Sequence, residues 1–267
     1  MTDQPGPVTA DDVLASVAAS VAALRQGADG DWTAPAGDLA WTCWETAEHL
    51  ADDRFYYAAH LGSEGYLGYL PFESAPRYPG SEPNTIRSDP AAGPEGLFAG
   101  LAAMAALLAA IVRVSPPTVR AEHTYGPADP EGAAAMGVLE TVVHTYDVAR
   151  GLGVSWTPDR AVCAGVLKRL MPEVERTDDA WADLLWACGR IALPGRPRRA
   201  DWRWDNTPRR AEDAVREPHP WRNPRLTLTK SPTRGGWGTA AQHLGESLDF
   251  AGASRGVGQA PRRRVAR

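Results

Sequence analysis

Residues 131–151 read EGAAAMGVLETVVHTYDVARG. Alanine and apolar residues recur here at helical spacing with no proline among them, so a helix is expected from about Glu131 to Arg150, closed by Gly151. Within it Glu140 and His144 stand four residues apart. That spacing puts both side chains on one helix face, with about 5–6 Å between their Cβ atoms, and suits two ligands of one metal ion. Metal sites in helical bundles combine such pairs with a donor from a facing helix, all directed inward. His49, on an earlier helical stretch, supplies that donor. Imidazole nitrogen and carboxylate oxygen suit zinc, and three protein ligands leave a fourth position for water or substrate. The same spacing also serves a solvated Glu–His pair, so the residues alone leave the metal open. His60 lies ~16 Å along a helix axis from His49 and cannot share its ion. Asp147, one turn past His144, is placed to orient that imidazole from behind or to face water. Asp53, one turn past His49, ranks below it as an orienting group or fourth ligand, because Asp52-Asp53 also reads as a solvent-facing pair.

Working outward, Thr9-Ala-Asp-Asp12 and Thr42-Cys-Trp-Glu45 are capping boxes that open helices running to about Gln26 and Leu61. Glu45 has a backbone partner through its box. Gly65 to Pro94, crowded with Gly, Pro and aromatic residues, reads as a long packed loop. A third helix is expected over about Glu95 to Val114, ended by Pro116-Pro117. Two accessory helices follow, one from Pro158 at a first-turn position to about Met171, the other from about Asp178 to Ala192. No strand pair is expected. Trp202 and Trp204 alternate in a short extended stretch against the body, and the chain past about Arg209 reads as disordered. The expectation is an all-α protein: a helical bundle over residues 8–194 and a basic, mostly disordered tail over 195–267. His123 in a loop, and His219 and His243 in the tail, are expected at the surface.

Composition excludes some function classes. With 43% hydrophobic and 23% charged residues among 267, the chain is that of a globular protein. Its net charge of −5 is divided: residues 195–267 hold 16 Lys and Arg against 7 Asp and Glu, leaving 12 against 26 before them. An acidic body repels polyanions, so a nucleic-acid partner is not expected, although Arg262-Arg-Arg264 keeps a nucleic-acid or anionic-surface binder as a rival. The uncharged run Gly96–Val112 is alanine-rich and short for a membrane span, and reads as a bundle helix. No secretory signal is visible, and three cysteines without CxxC spacing point away from a disulfide framework, so a cytoplasmic location is expected. Cys43 sits in the first turn of its helix, where the dipole favours thiolate, but leaves on a different face from His49. Packing is the expected role for it, as for Cys163 and Cys188.

Two motifs, WTCWETAEHLAD at residues 41–52 and ETVVHTYDVARG at residues 140–151, resemble the mycothiol-dependent maleylpyruvate isomerase family. That resemblance covers about Val8 to Pro194. It implies a DinB-like four-helix bundle, up-down-down-up, in which zinc is held by a histidine on the second helix and Glu-x-x-x-His on a later one. Those positions are His49, Glu140 and His144. The function it implies is a zinc-dependent enzyme using the thiol cofactor mycothiol, of isomerase or S-transferase type, acting on a small electrophilic substrate. In place of the family's folded C-terminal α/β domain, this chain offers its last helices and a basic tail. A non-catalytic metal-binding bundle is the alternative.

Overall fold

Thr9 and Asp12 cap each other reciprocally: the Thr9 backbone N–H donates to the Asp12 carboxylate at 2.7 Å, and the Asp12 N–H to the Thr9 hydroxyl at 3.2 Å. From that box runs α1, Ala10–Leu24. The same device at Thr42 and Glu45 opens α2, Cys43–Gly62. Both starts fall where the sequence places them, because each box satisfies orphan helix donors locally. The computed structural model describes residues 5–63, 68–78, 81 and 83–208. His219, His243 and the chain from Arg209 onward lie outside these.

Among the described residues, which are mostly helical, four further α-helices follow: α3, Gly93–Val114; α4, Pro130–Leu152; α5, Arg160–Leu170; and α6, Ala180–Ala187. Among the first four, α1 packs on α3 and α4, and α2 packs on the same two. Paired residues fix the neighbours. Along α2 and α4, Arg54 meets Gly137 and Cys43 meets Val148; along α1 and α4, Ser20 meets Thr145 at 2.5 Å. Arg25, just past the end of α1, and Asp11 in its first turn pair with Glu95 and Arg113 on α3. Leu50, Leu61, Leu101, Leu108, Leu139 and Val142 fill the space between. Each such side chain contributes about 1.5–3 kcal/mol through burial.

α4 is the most enclosed element. Eighteen of its 23 residues are buried, and its small residues permit this: a Cβ on Gly137 would meet Leu108 at 2.7 Å. In α3 the inner stripe of Leu97, Phe98, Leu101, Ala105 and Leu108 is buried, while Leu107 is 38% exposed. α3 is long and apolar enough to cross a membrane by length and composition.

Several local expectations change. Gly151 does not stop α4; the helix continues to Leu152 and ends at left-handed Gly153 (φ 69°), where the Val154 N–H closes on the Ala149 carbonyl. Gly151 is a close approach instead, since a Cβ there would lie 2.5 Å from the Pro35 carbonyl oxygen. Pro158 precedes the α5 cap, and Asp159 does the capping. α6 ends at Ala187, five residues early, because left-handed Gly189 (φ 67°) turns the chain away. A two-residue antiparallel ladder, β1 Ala75–Pro76 with β2 Pro83–Asn84, interrupts the long loop. Trp202 and Trp204 are buried against the body without forming a strand; the Asp205 and Asn206 N–H groups donate to Leu170 and Tyr125 carbonyls, both at 2.9 Å.

Candidate metal centre

His49 arrives from the middle of α2 and Glu140 and His144 from α4, brought face to face by the packing of those helices. All three are at least 98% buried. One donor atom from each lies within 4.8 Å of the others, and they are the one group of three or more potential ligands this close among the described residues. The His49 and His144 rings meet nearly edge to face, centroids 5.6 Å apart at 83°. His144 Nε2 is 3.3 Å from Glu140 Oε2. His144 Nε2 and His49 Nδ1 are buried without a hydrogen bond. Orphaned imidazole nitrogens beside an inward carboxylate are what a divalent cation would complete, so the donor set fits zinc.

The neighbours fix these groups. Asp147 Oδ2 lies 3.1 Å from His144 Nδ1, which leaves Nε2 as the inward nitrogen, the arrangement of carboxylate–histidine–metal sites. Asp147 is in turn gripped by Arg190, Nη2 to Oδ2 at 2.8 Å and Nε to Oδ1 at 3.2 Å. Asp53 Oδ2 stands 3.1 Å from His49 Nε2. The Trp41 ring lies 5.0 Å from His49 and 6.2 Å from His144 and forms an aromatic wall beside both.

Burial and then the neighbouring His144 push His49 down to about 3, so it is neutral near pH 7, as a ligand must be. For Glu140, burial pulls upward, but the neighbouring His144, with His49 and Arg190 adding to it, outweighs this and holds the carboxylate below its ordinary range. Asp147 is held low against burial by Arg190 and His144.

Sequence reasoning left two guanidinium groups out of the site. Arg54 is completely buried and donates to the Leu50 carbonyl on its own helix and, across to α4, to the Gly137 carbonyl at 2.8 Å and the Thr141 hydroxyl. It clamps α2 to α4 one turn from His49. Arg190 comes from the turn after α6, and no local periodicity marks it.

A third omission is what anchors the packed loop that straps α2. Its acidic residues, spaced one helical turn or so apart, are buried under the long loop. Glu45 takes the Tyr78 hydroxyl, Glu48 takes Arg77 at 2.5 Å and the Ser88 N–H at 2.7 Å, and Asp52 takes the Thr85 and Ile86 N–H groups. Asp52 therefore does not face water. The run of acids on one face of an otherwise buried helix was the signal for such partners.

His60 makes no part of the centre: its Nδ1–H donates to the Tyr56 carbonyl at 2.9 Å and its Nε2 accepts from the Leu70 N–H at 3.0 Å. His123 is not at the surface. It is 8% exposed, stacked on Trp204, and its Nδ1 accepts from Asn206 at 2.7 Å and the Tyr125 N–H at 3.1 Å. Cys43, Cys163 and Cys188 are buried thiols. Burial pushes Cys43 up to about 11 and Cys163 to about 12, which leaves them unreactive.

Compared with known families, residues 6–149 match the family described as Mycothiol maleylpyruvate isomerase N-terminal domain. The match contains all three candidate ligands and Asp147. No curated protein and no solved structure matches the chain.

Proposed function

Because the chain belongs to the mycothiol maleylpyruvate isomerase N-terminal domain family, we propose that it is a zinc-dependent enzyme employing a thiol cofactor, mycothiol, on a small electrophilic substrate. The reaction is of isomerase or S-transferase type. His49, Glu140 and His144 are the ligands in this reading, and the observation that carries it is their buried convergence with two imidazole nitrogens left unbonded. Zinc, when bound, supplies an open position at which a thiol is held as its thiolate.

The chain's own residues prepare that position. Asp147 fixes the His144 ring, and Glu140 brings a negative charge to the site. Arg54 and Arg190 are buried cations close by. Asp53, Glu140 and Asp147 set against these two guanidiniums, with both histidines neutral as metal ligands must be, sum to one negative charge. A divalent cation held there would reverse that sign, and one anionic donor such as a thiolate would restore neutrality. Burial makes this balance weigh heavily, since uncompensated charge away from water costs several kcal/mol. Trp41 provides an apolar wall that keeps water from the thiol's neighbourhood.

The bundle in this proposal is up-down-down-up. The connection from α2 to α3 runs back along α2, meeting His60 at Leu70, Asp52 at Thr85 and Glu48 at Ser88. Trp32 touches both Trp44 and Phe98, near the starts of α2 and α3. These contacts favour parallel α2 and α3, with α1 and α4 opposed to them.

The test is direct. Purified protein should carry about one zinc per chain and turn over an electrophile, maleylpyruvate first, only when mycothiol is supplied. Folded protein that takes up no zinc would remove the reading. Zinc uptake without thiol-dependent turnover would favour a non-catalytic metal-binding bundle.

A further inference from the structure

The chain reaches the centre a third time, from beyond the family match. α6 closes in a left-handed turn: the Gly189 N–H donates to the Trp186 carbonyl at 3.0 Å and the Arg190 N–H to the Leu185 carbonyl at 2.7 Å, the paired bonds of a Schellman motif. Gly189 is required there, since a Cβ would stand 2.6 Å from the Arg199 carbonyl oxygen. The turn sends Arg190 back into the bundle, where it is 7% exposed. Its Nη1 donates to the Cys188 carbonyl at 2.9 Å, and its Nε and Nη2 form a fork on Asp147.

The geometry of that fork is informative. Asp147 Oδ2 is shared, meeting Arg190 Nη2 at 2.8 Å and His144 Nδ1 at 3.1 Å. An aspartate held by one bond can rotate about its last side-chain torsion. Two parallel N–H···O bonds remove that freedom. With the carboxylate plane fixed, the imidazole it meets is fixed as well, and so is the direction of Nε2 toward Glu140 and His49. We infer that Arg190 is a positioning residue of the metal centre, acting through Asp147 on His144, and that the α5–α6 segment completes the site. This rests on the metal reading above.

Zinc affinity of the full chain, measured by competition with a chromophoric chelator, provides the test. Arg190→Gln should weaken zinc binding by ~10–100-fold, the loss usual for an outer partner of a ligand, and Asp147→Asn should do the same. Because the two act in series, the double variant should bind no more weakly than Asp147→Asn alone. A merely structural Arg190 would give losses that add. Wild-type affinity in Arg190→Gln, or additive losses, would overturn the inference. If Arg190→Gln fails to fold, Arg190→Lys carries the comparison: it keeps the charge without the fork, so weakened affinity supports the role and wild-type affinity overturns it. Wild-type protein without zinc uptake would instead overturn the metal reading and this inference together.

Discussion

His60 and His49 lie on one helix, are both buried, and differ in what their nitrogens do. His60 has a backbone partner on each nitrogen, whereas His49 Nδ1 has none. His49→Ala or Glu140→Gln should therefore weaken zinc binding by more than the ~100-fold upper range of an outer partner, while His60→Ala should leave zinc affinity unchanged and lower the melting temperature. Equal zinc losses in all three would contradict the assignment. Arg54→Met should leave three buried acceptors short of a donor and cost about 1.5–3 kcal/mol in chemical denaturation, in the range of charged hydrogen bonds. At this scale the sequence was readable where partners are close along one helix. Glu140, His144 and Asp147 follow from spacing of three and four. His49 was reached as the donor from a facing helix, a reading the family resemblance strengthened, whereas Arg190, 43 residues from Asp147, has no periodic signal linking it to its partner.

Among the elements, α4 separates two glycines that look alike in sequence. Gly153 needs its left-handed conformation, whereas Gly151 needs the absence of a side chain. Gly153→Ala should cost roughly 1 kcal/mol of backbone strain. Gly151→Ala should cost more, about 1–3 kcal/mol for overpacking against backbone that cannot easily move, as read from urea midpoints. The reverse order would refute this distinction. Helix starts were legible at Thr9 and Thr42 because capping is local chemistry. Helix ends were less so, because Gly151 and Gly153 differ only in what a distant loop places beside them. The strap over α2 was foreseen as a packed loop, but not the acids that hold it, since Glu48 and Asp52 find their partners more than 25 residues away.

For the molecule as a whole, His123 links the bundle to the segment that carries Trp204. Burial pushes His123 down to about 4, against about 6.5 in an unfolded chain. Between those values the unfolded chain binds more protons than the folded one. The His123 contribution is thus complete above about pH 6.5 and is lost as pH falls toward 4, by at most about 3 kcal/mol. His60, also lowered by burial, acts in the same direction. His123→Gln should flatten the fall in melting temperature between pH 7 and pH 5, and an unchanged slope would place the pH dependence elsewhere. Trp204→Ala should cost about 3–5 kcal/mol. The surface reading of His123 failed because nothing near it in sequence is periodic; its cover comes from residues 202–206, whose packing only the folded chain reveals.

The enclosure of α4 carries over to its motions. Wrapped on nearly every side, it can release its amide protons only when the whole bundle opens, so they should be the slowest to exchange with deuterated solvent. The outward amides of α3 should exchange through smaller local openings. Two of the three side chains proposed to hold the ion, Glu140 and His144, thus stand on the helix that relinquishes its order last.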